Sequence, residues 1–216
     1  MACAFAHTDG HAARILGLVT ILIKELSRFE QPALEHHFLA LEGEDRRLRF
    51  GVGLNDFAVR AYVKGINFRR DALFGVLDDK LRVIGAAHLA RSNDHAELGV
   101  SVLPGHRNRG IGGALLGRAH THARNWGVHA LFMHCLTENG AMMHLARKHR
   151  MEIVAEASEA DAWLKLPPAD ASSYMSAVFE QGVALFDYAL KSQLADARRI
   201  GDALRSSWSS LPVARK

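Results

Sequence analysis

Residues 96–116 read AELGVSVLPGHRNRGIGGALL, and this stretch restricts the fold more than any other part of the chain. A strand-like run from Ala96 to Leu103 stops at Pro104, which has no N–H to give to a sheet ladder. A basic, glycine-rich turn follows, from Arg107 through Asn108, Arg109, Gly110, Ile111 and Gly112 to Gly113, and a strong helical pattern begins at Ala114. A turn of this kind points several backbone N–H groups outward at the positive end of a helix dipole. It is a ready site for a phosphate or pyrophosphate.

Two familiar phosphate loops are excluded by spacing. A dinucleotide-binding turn needs a third glycine after GxG, and Leu115 stands where it should be. A P-loop ends in Gly-Lys-Ser/Thr. Gly112 and Gly117 have its spacing, but Arg118 and Ala119 follow. What remains is Arg107-x-x-Gly110-x-Gly112 between a strand and a helix.

The rest of the chain bounds the ligand. It has 216 residues, room for one domain with an extension or for two small ones. A net charge of +4 suits an anionic small molecule. It does not suggest nucleic acid, because the densest basic run, Arg46, Arg47 and Arg49, is diluted by Glu44 and Asp45 and has no interleaved aromatics. The apolar run 15–23 is too short for a membrane span and lacks the flanks of a signal peptide. Cys3 and Cys135 have no paired spacing, which reads as a reduced, cytoplasmic compartment. The 13 histidines show no convincing zinc spacing, so no metal is expected.

Periodicity predicts a loose leader over 1–14, a strand from Val19 to Glu25, and helices over Glu30–Leu41 and from an Asn55 cap to Gly65. Three antiparallel strands come next, at Ala72–Leu77, Leu81–Ala90 and Ala96–Leu103, with turns at 78–80 and 92–94. Helix Gly112–Trp126, strand His129–Leu136, helix Asn139–His149 and strands Met151–Glu156 and Ala162–Leu166 complete a domain over 15–167, closed by Pro167-Pro168. The fold class expected is α/β (α+β), a mixed, mostly antiparallel central sheet flanked by helices. Residues 168–216 form a second unit, an amphipathic helix over Ser172–Arg205 with a mobile tail after Ser206. Its stripe, including Met175, Phe179, Phe186 and Ile200, packs on the domain or on a second copy in a homodimer. A membrane-surface helix is disfavoured by Glu180, Asp187, Asp196 and Asp202.

The loop and the element order resemble the GCN5-related N-acetyltransferases (GNAT), whose acyl-CoA pyrophosphate loop is [Q/R]-x-x-G-x-[G/A]. The resemblance covers about residues 18–166. Downstream, Asn139-x5-Leu145-Ala146-Arg147-Lys148 is similar to the family stretch N-x5-L-Y-x-K, in which the Asn commonly contacts the CoA arm. Upstream, Glu97 and the run FLALEGEDRRLRF (38–50) look like the bacterial protein-lysine acetyltransferases, in which a Glu on this strand acts as general base. The family often protonates the departing thiolate with a Tyr where this chain has Ala146, so that acid is not carried over. Asn67 also stands where that branch has Asp.

The resemblance implies acetyl-CoA as acyl donor, an amine acceptor (a protein lysine or a small amine), and a donor site built from Val100, Val102, Leu103, Arg107, Asn108, Arg109, Gly110, Ile111, Gly112, Gly113, Ala114 and Asn139. Backbone groups of 100–103 would hold the pantetheine and polarise the carbonyl, with the break at Pro104 splaying this strand from the next. Glu97 is the candidate base, partly desolvated within an apolar strand, and His88 is the alternative. Ser101 and Cys135 are candidates for assisting the leaving thiolate. Ala146 keeps a second reading open, a non-catalytic acyl-CoA-binding sensor or regulatory module.

Overall fold

The computed structural model describes residues 21–209, so the leader and the start of the first expected strand lie outside the described residues. The elements run β1 (Lys24–Leu26), α1 (Gln31–Leu39), α2 (Gly43–Phe50), α3 (Asp56–Gly65), β2 (Ala72–Leu77), β3 (Val83–Arg91), β4 (His95–Val102), α4 (Ile111–Asn125), β5 (Ala130–Leu136), α5 (Gly140–Lys148), β6 (Glu152–Glu156), β7 (Glu159–Lys165) and α6 (Ala171–Ser209). One seven-stranded sheet has the order β1-β2-β3-β4-β5-β7-β6. Every neighbouring pair is antiparallel except β4 and β5. The α4 crossover between these two strands imposes that parallel pairing.

Successive side chains of a strand face opposite sides of the sheet, which gives the fold two cores. Leu73 and Val83 pack with Leu34, Phe38, Val59 and Val63 of α1 and α3. Phe74, Leu89, Leu98 and Val100 pack with Leu115, Leu116 and Ala119 of α4 on the other face. Leu98 and Val100 therefore face α4, and the alternate residues Glu97, Gly99 and Ser101 face the side of α1 and α2.

The short helix α2 is missing from the sequence expectation, because its mean character is charged and it carries no apolar stripe. Its local signals are nevertheless orthodox. Glu44 and Asp45 lie in the first turn, Arg47 and Arg49 in the last, and Gly51 ends it in the left-handed region at φ 76°. The Asn55 cap of α3 is as expected, its side chain accepting from the Ala58 N–H at 2.9 Å.

The last helix is longer than expected and runs through Ser209, past the tail assigned from Ser206. The Asp170 carboxylate accepts the Ser173 N–H at 2.8 Å at its start. It packs on α4 and β1. Arg118 of α4 is buried beneath it, with Glu25 and Glu180 at 3.9 and 3.7 Å. Met175, Val178, Phe179, Phe186 and Ile200 remain exposed. Among the described residues no helix is long and apolar enough to cross a membrane.

Candidate active site

The strand–loop–helix of the sequence forms one wall of a cleft of about 600 Å³. Asn108, at φ 59°, and Gly110, at φ 81°, both turn into the left-handed region, and this double turn swings the chain from β4 into α4. Only glycine adopts such a φ without cost, which explains Gly110. Among the described residues no side chain caps α4, and no acidic residue occupies its first turn. The first helical hydrogen bond is donated by the Ala114 N–H to the Gly110 carbonyl, at 3.0 Å. The N–H groups of Ile111, Gly112 and Gly113 thus precede the helical ladder, and these three residues line the cleft. Uncapped N–H groups at a positive dipole end, facing a cavity, have the geometry and polarity that suit an anion.

Most of the expected donor-site residues come together here. Val100, Val102, Arg107, Asn108, Gly110, Ile111, Gly112, Gly113 and Asn139 line the cleft. Leu103, Arg109 and Ala114 do not, for local reasons. Leu103 donates its N–H to the Ile84 carbonyl and packs its side chain on the core under α1. Arg109 folds back onto the Gly105 carbonyl at 3.1 Å. The Ala114 N–H is already committed to the helix.

The opposite wall is α2, and here the expected geometry needs correcting. Strand β4 leaves β5 after the pair Glu97–Phe132, well before Pro104. The wedge is the C-terminal end of α2, which packs on both strands. Arg49 lies flat against Gly99, where any Cβ would collide with its guanidinium. Asn139 fastens the wedge. Its Nδ2 donates to the Leu48 carbonyl at 3.1 Å, and its Oδ1 accepts the Met142 N–H to cap α5. Both polar groups of Asn139 are committed to the fold, so this residue shapes the cleft with its amide already in use. Arg107 is clipped similarly, its Nε on the Val102 carbonyl at 3.1 Å and its Nη2 on Asp45 of α2 at 2.7 Å.

The catalytic candidates separate. Glu97 is exposed, contrary to the desolvated setting expected of it. It lines a smaller recess of about 100 Å³ beside the cleft, with Arg49, Gly99 and His134. His88 lines neither cavity. Its Nδ1 meets the Tyr62 hydroxyl at 2.6 Å and its Nε2 meets Asp71 at 3.3 Å. Burial holds its pKa below the ordinary imidazole value, Arg49 adds to this, and Asp71 opposes it. The neutral ring donating to Asp71 accepts the Tyr62 proton, so His88 sits behind Tyr62 and cannot reach a substrate directly.

Ser101 lines the cleft, but its hydroxyl lies 2.8 Å from Nε2 of buried His37, whose Nδ1 lies 2.8 Å from the Val83 carbonyl. A carbonyl only accepts, so Nδ1 carries the ring proton and Ser101 donates to Nε2. The hydroxyl proton thus points away from the cleft and is not available to a leaving thiolate. Burial pushes the His37 pKa down to about 4, against its bond to Val83, and the charge of Arg49 lowers it further. An imidazole so averse to protonation is also a poor base for turning Ser101 into a nucleophile. Cys135 is buried with its sulfur 3.8 Å from that of Met143, and burial raises its pKa. Ala146 is buried in the core.

The family model for the acetyltransferase (GNAT) family matches residues 42–150, from α2 to the end of α5. The chain belongs to this family. Solved structures share the fold at low identity. The GNAT domain of S. lividans PAT superposes with a TM-score of 0.59 at 17% identity, covering 67% of this chain and 89% of that one. Spermidine N-acetyltransferase from Vibrio cholerae, solved with CoA and spermine, gives 0.55 at 18% identity, covering 71% and 96%. The structure of yncA from Salmonella typhimurium with its cofactor acetyl-CoA gives 0.53 at 17%, covering 69% and 95%. A search of curated proteins found no match. Among the described residues no cluster of three or more His, Cys, Asp or Glu could hold a metal ion.

Three residues escaped the sequence reading as site components: Arg49, which lines the cleft, and His37 and Tyr62, which hydrogen-bond to its lining residues Ser101 and Arg49. The run Leu48-Arg49-Phe50 was visible as a motif, but its helix and its seat on Gly99 were not. His37 gave no signal at all, because its partner Ser101 lies 64 residues away.

Proposed function

We propose that the protein transfers an acetyl group from acetyl-CoA to an amine. The observation that carries this reading is the uncapped α4 N-terminus at one end of a cleft whose other end opens where β4 parts from β5. An extended thioester with a pyrophosphate at one end suits such a cleft. The family membership and the neighbour solved with acetyl-CoA support the donor.

In this reading the amine nitrogen attacks the thioester carbonyl carbon, the C–S bond breaks, and the amine proton leaves for a base. Backbone groups of β4 beyond Glu97, free of β5, would polarise the carbonyl oxygen. Holding both partners in the splay removes much of the entropic barrier. Glu97 is the proposed base. It shares its recess with Gly99 on the same face of β4, and it takes the proton directly or through a water. The thiolate takes its proton from solvent or from the acceptor's own ammonium, since neither Ala146 nor Ser101 can supply one.

Isothermal calorimetry with acetyl-CoA, followed by thiol release with an amine panel, tests this. Glu97→Gln is expected to lower kcat/KM about 10²–10³-fold and to leave the acetyl-CoA Kd unchanged. Binding without turnover of any amine would make the protein an acyl-CoA-binding module instead.

The proposal includes a domain ending near Pro168 and a homodimer through the exposed apolar face of α6, which follows it. The acidic residues Glu180, Asp187, Asp196 and Asp202 offset the basic ones of α6, which disfavours a membrane surface, while a second copy would cover Phe179 and Phe186. Sedimentation velocity is expected to show a dimer for the full chain and a monomer for the double substitution Phe179→Glu, Phe186→Glu.

A further inference from the structure

Of the arginines on α2, two are matched by carboxylates. Arg46 pairs with Asp56 at 2.7 Å, and Arg47 pairs with Glu44 and Glu138 at 2.7 Å. Arg49 is different. Among the described residues no carboxylate lies within ion-pair distance of it. Its Nη2 is 3.4 Å from the Tyr62 hydroxyl, and its buried Nε has no acceptor. Phe50 and Phe38 hold the guanidinium, at 4.9 and 5.6 Å from their ring centroids. The two imidazoles nearest in the network, His37 and His88, are neutral and offer it no counter-charge.

Withdrawing a guanidinium from water without an anion is unfavourable, and the imbalance is relieved when a ligand supplies one. The place is specific. Arg49 lines both the donor cleft and the adjoining recess, and it seats on Gly99, two residues beyond the last β4–β5 pair. The phosphate loop begins beyond Val102, about 10 Å further along the strand, so the pyrophosphate is not the anion that Arg49 meets. The nearer anion is one carried by the acceptor. Glu97 lines the same recess, about 7 Å from Gly99 along the same face. Positive and negative groups lining one recess match a small molecule bearing both an ammonium and a carboxylate. The planar fork of Arg binds a carboxylate by two parallel hydrogen bonds, which also fixes its orientation.

We propose that Arg49 receives the carboxylate of the acceptor, so that the substrate is an amino acid or a similar small amine carrying a carboxylate, with its amine toward Glu97. This rests on the acetyltransferase reading and narrows its acceptor class. It argues against a polyamine, whose charges would repel Arg49, and against a lysine within a protein, which brings no carboxylate of its own.

The test uses wild-type full-length protein and matched pairs of acceptors: histidine and histamine, tyrosine and tyramine, lysine and cadaverine, with the remaining amino acids and a lysine-containing peptide as single acceptors. Thiol release from acetyl-CoA is measured for each. The best matched pair is expected to favour the amino acid at least tenfold in kcat/KM. Arg49→Met, which keeps the apolar stem packed on the phenylalanines, is expected to bring that ratio near one through KM. Arg49→Lys, which keeps the charge but not the fork, is expected to reduce it in part. The wild-type ratios need no variant, so a misfolded substitution does not block the test. Preference for the decarboxylated amine or the peptide, no turnover of any amino acid, or a ratio unchanged in Arg49→Met would overturn the inference. If acetyl-CoA itself fails to bind by calorimetry, the acetyltransferase reading falls first, and the two failures are thereby told apart.

Discussion

Gly112→Glu is expected to raise the Kd for CoA at least 100-fold while leaving the fold intact. Gly112 lies in the first turn of α4 and lines the cleft. A Cβ there meets only Leu145, at 4.0 Å, which is ordinary packing distance. The new side chain therefore enters the cavity without disturbing the core. Its carboxylate would lie among the free N–H groups of Ile111, Gly112 and Gly113, where it competes with the pyrophosphate sterically and repels it. An acidic group in a first turn also interacts favourably with the helix dipole, by about 0.3–1 kcal/mol, so the melting temperature should hold or rise slightly. Gly112→Ala is the control and should bind CoA within a few-fold of wild type. Calorimetry and thermal melting decide the matter. Wild-type affinity in Gly112→Glu would mean that this helix end does not receive the pyrophosphate.

A second large effect is expected in acid. His37 titrates at about 4 in the fold, against an ordinary value of 6.5. The folded state thus resists a proton that the unfolded chain accepts, so stability is complete above pH 6.5 and is lost as pH falls from 6.5 toward 4. For a group this buried the loss is on the order of 3 kcal/mol. His122 is likewise pushed down to about 4, first by burial and then by Arg118, and adds to the slope. Burial raises the Glu25 carboxyl, which works in the opposite direction at the acid end of this window. Urea midpoints measured between pH 8 and pH 4 should fall steeply below 6.5. His37→Asn can keep a donor to the Val83 carbonyl and removes the titrating group. It should lower stability at pH 8 by about 1–3 kcal/mol, through the lost Ser101 bond, and flatten the acid slope. A slope unchanged in this variant would assign the acid sensitivity elsewhere.

Much of the fold was legible from short-range pattern. The β4–loop–α4 turn follows from Gly110 and its neighbours, because a left-handed φ and an uncapped helix start are local properties of the backbone. Asn55 announced α3 by the same logic, and the turns at 78–80 and 92–94 separated the strand-like runs of β2 to β4. The charged helix α2 was not legible, since it has no apolar stripe and its end signals are short and common. The position of the splay was also misread from Pro104, because it depends on a wedge that arrives from residues 48–50.

The site divides in the same way. By itself the sequence determined the glycine-rich turn before α4, the family and the class of donor, all of which reside in contiguous residues. Only the tertiary structure decided which polar groups are already committed and which remain free. Asn139 reaches back 91 residues to Leu48, and Ser101 turns its proton to His37. Arg49 comes to rest on Gly99 with no carboxylate of the described residues in ion-pair distance. Hydrogen-bond and charge balance are sums over neighbours in space, and in this chain those neighbours lie dozens of residues apart.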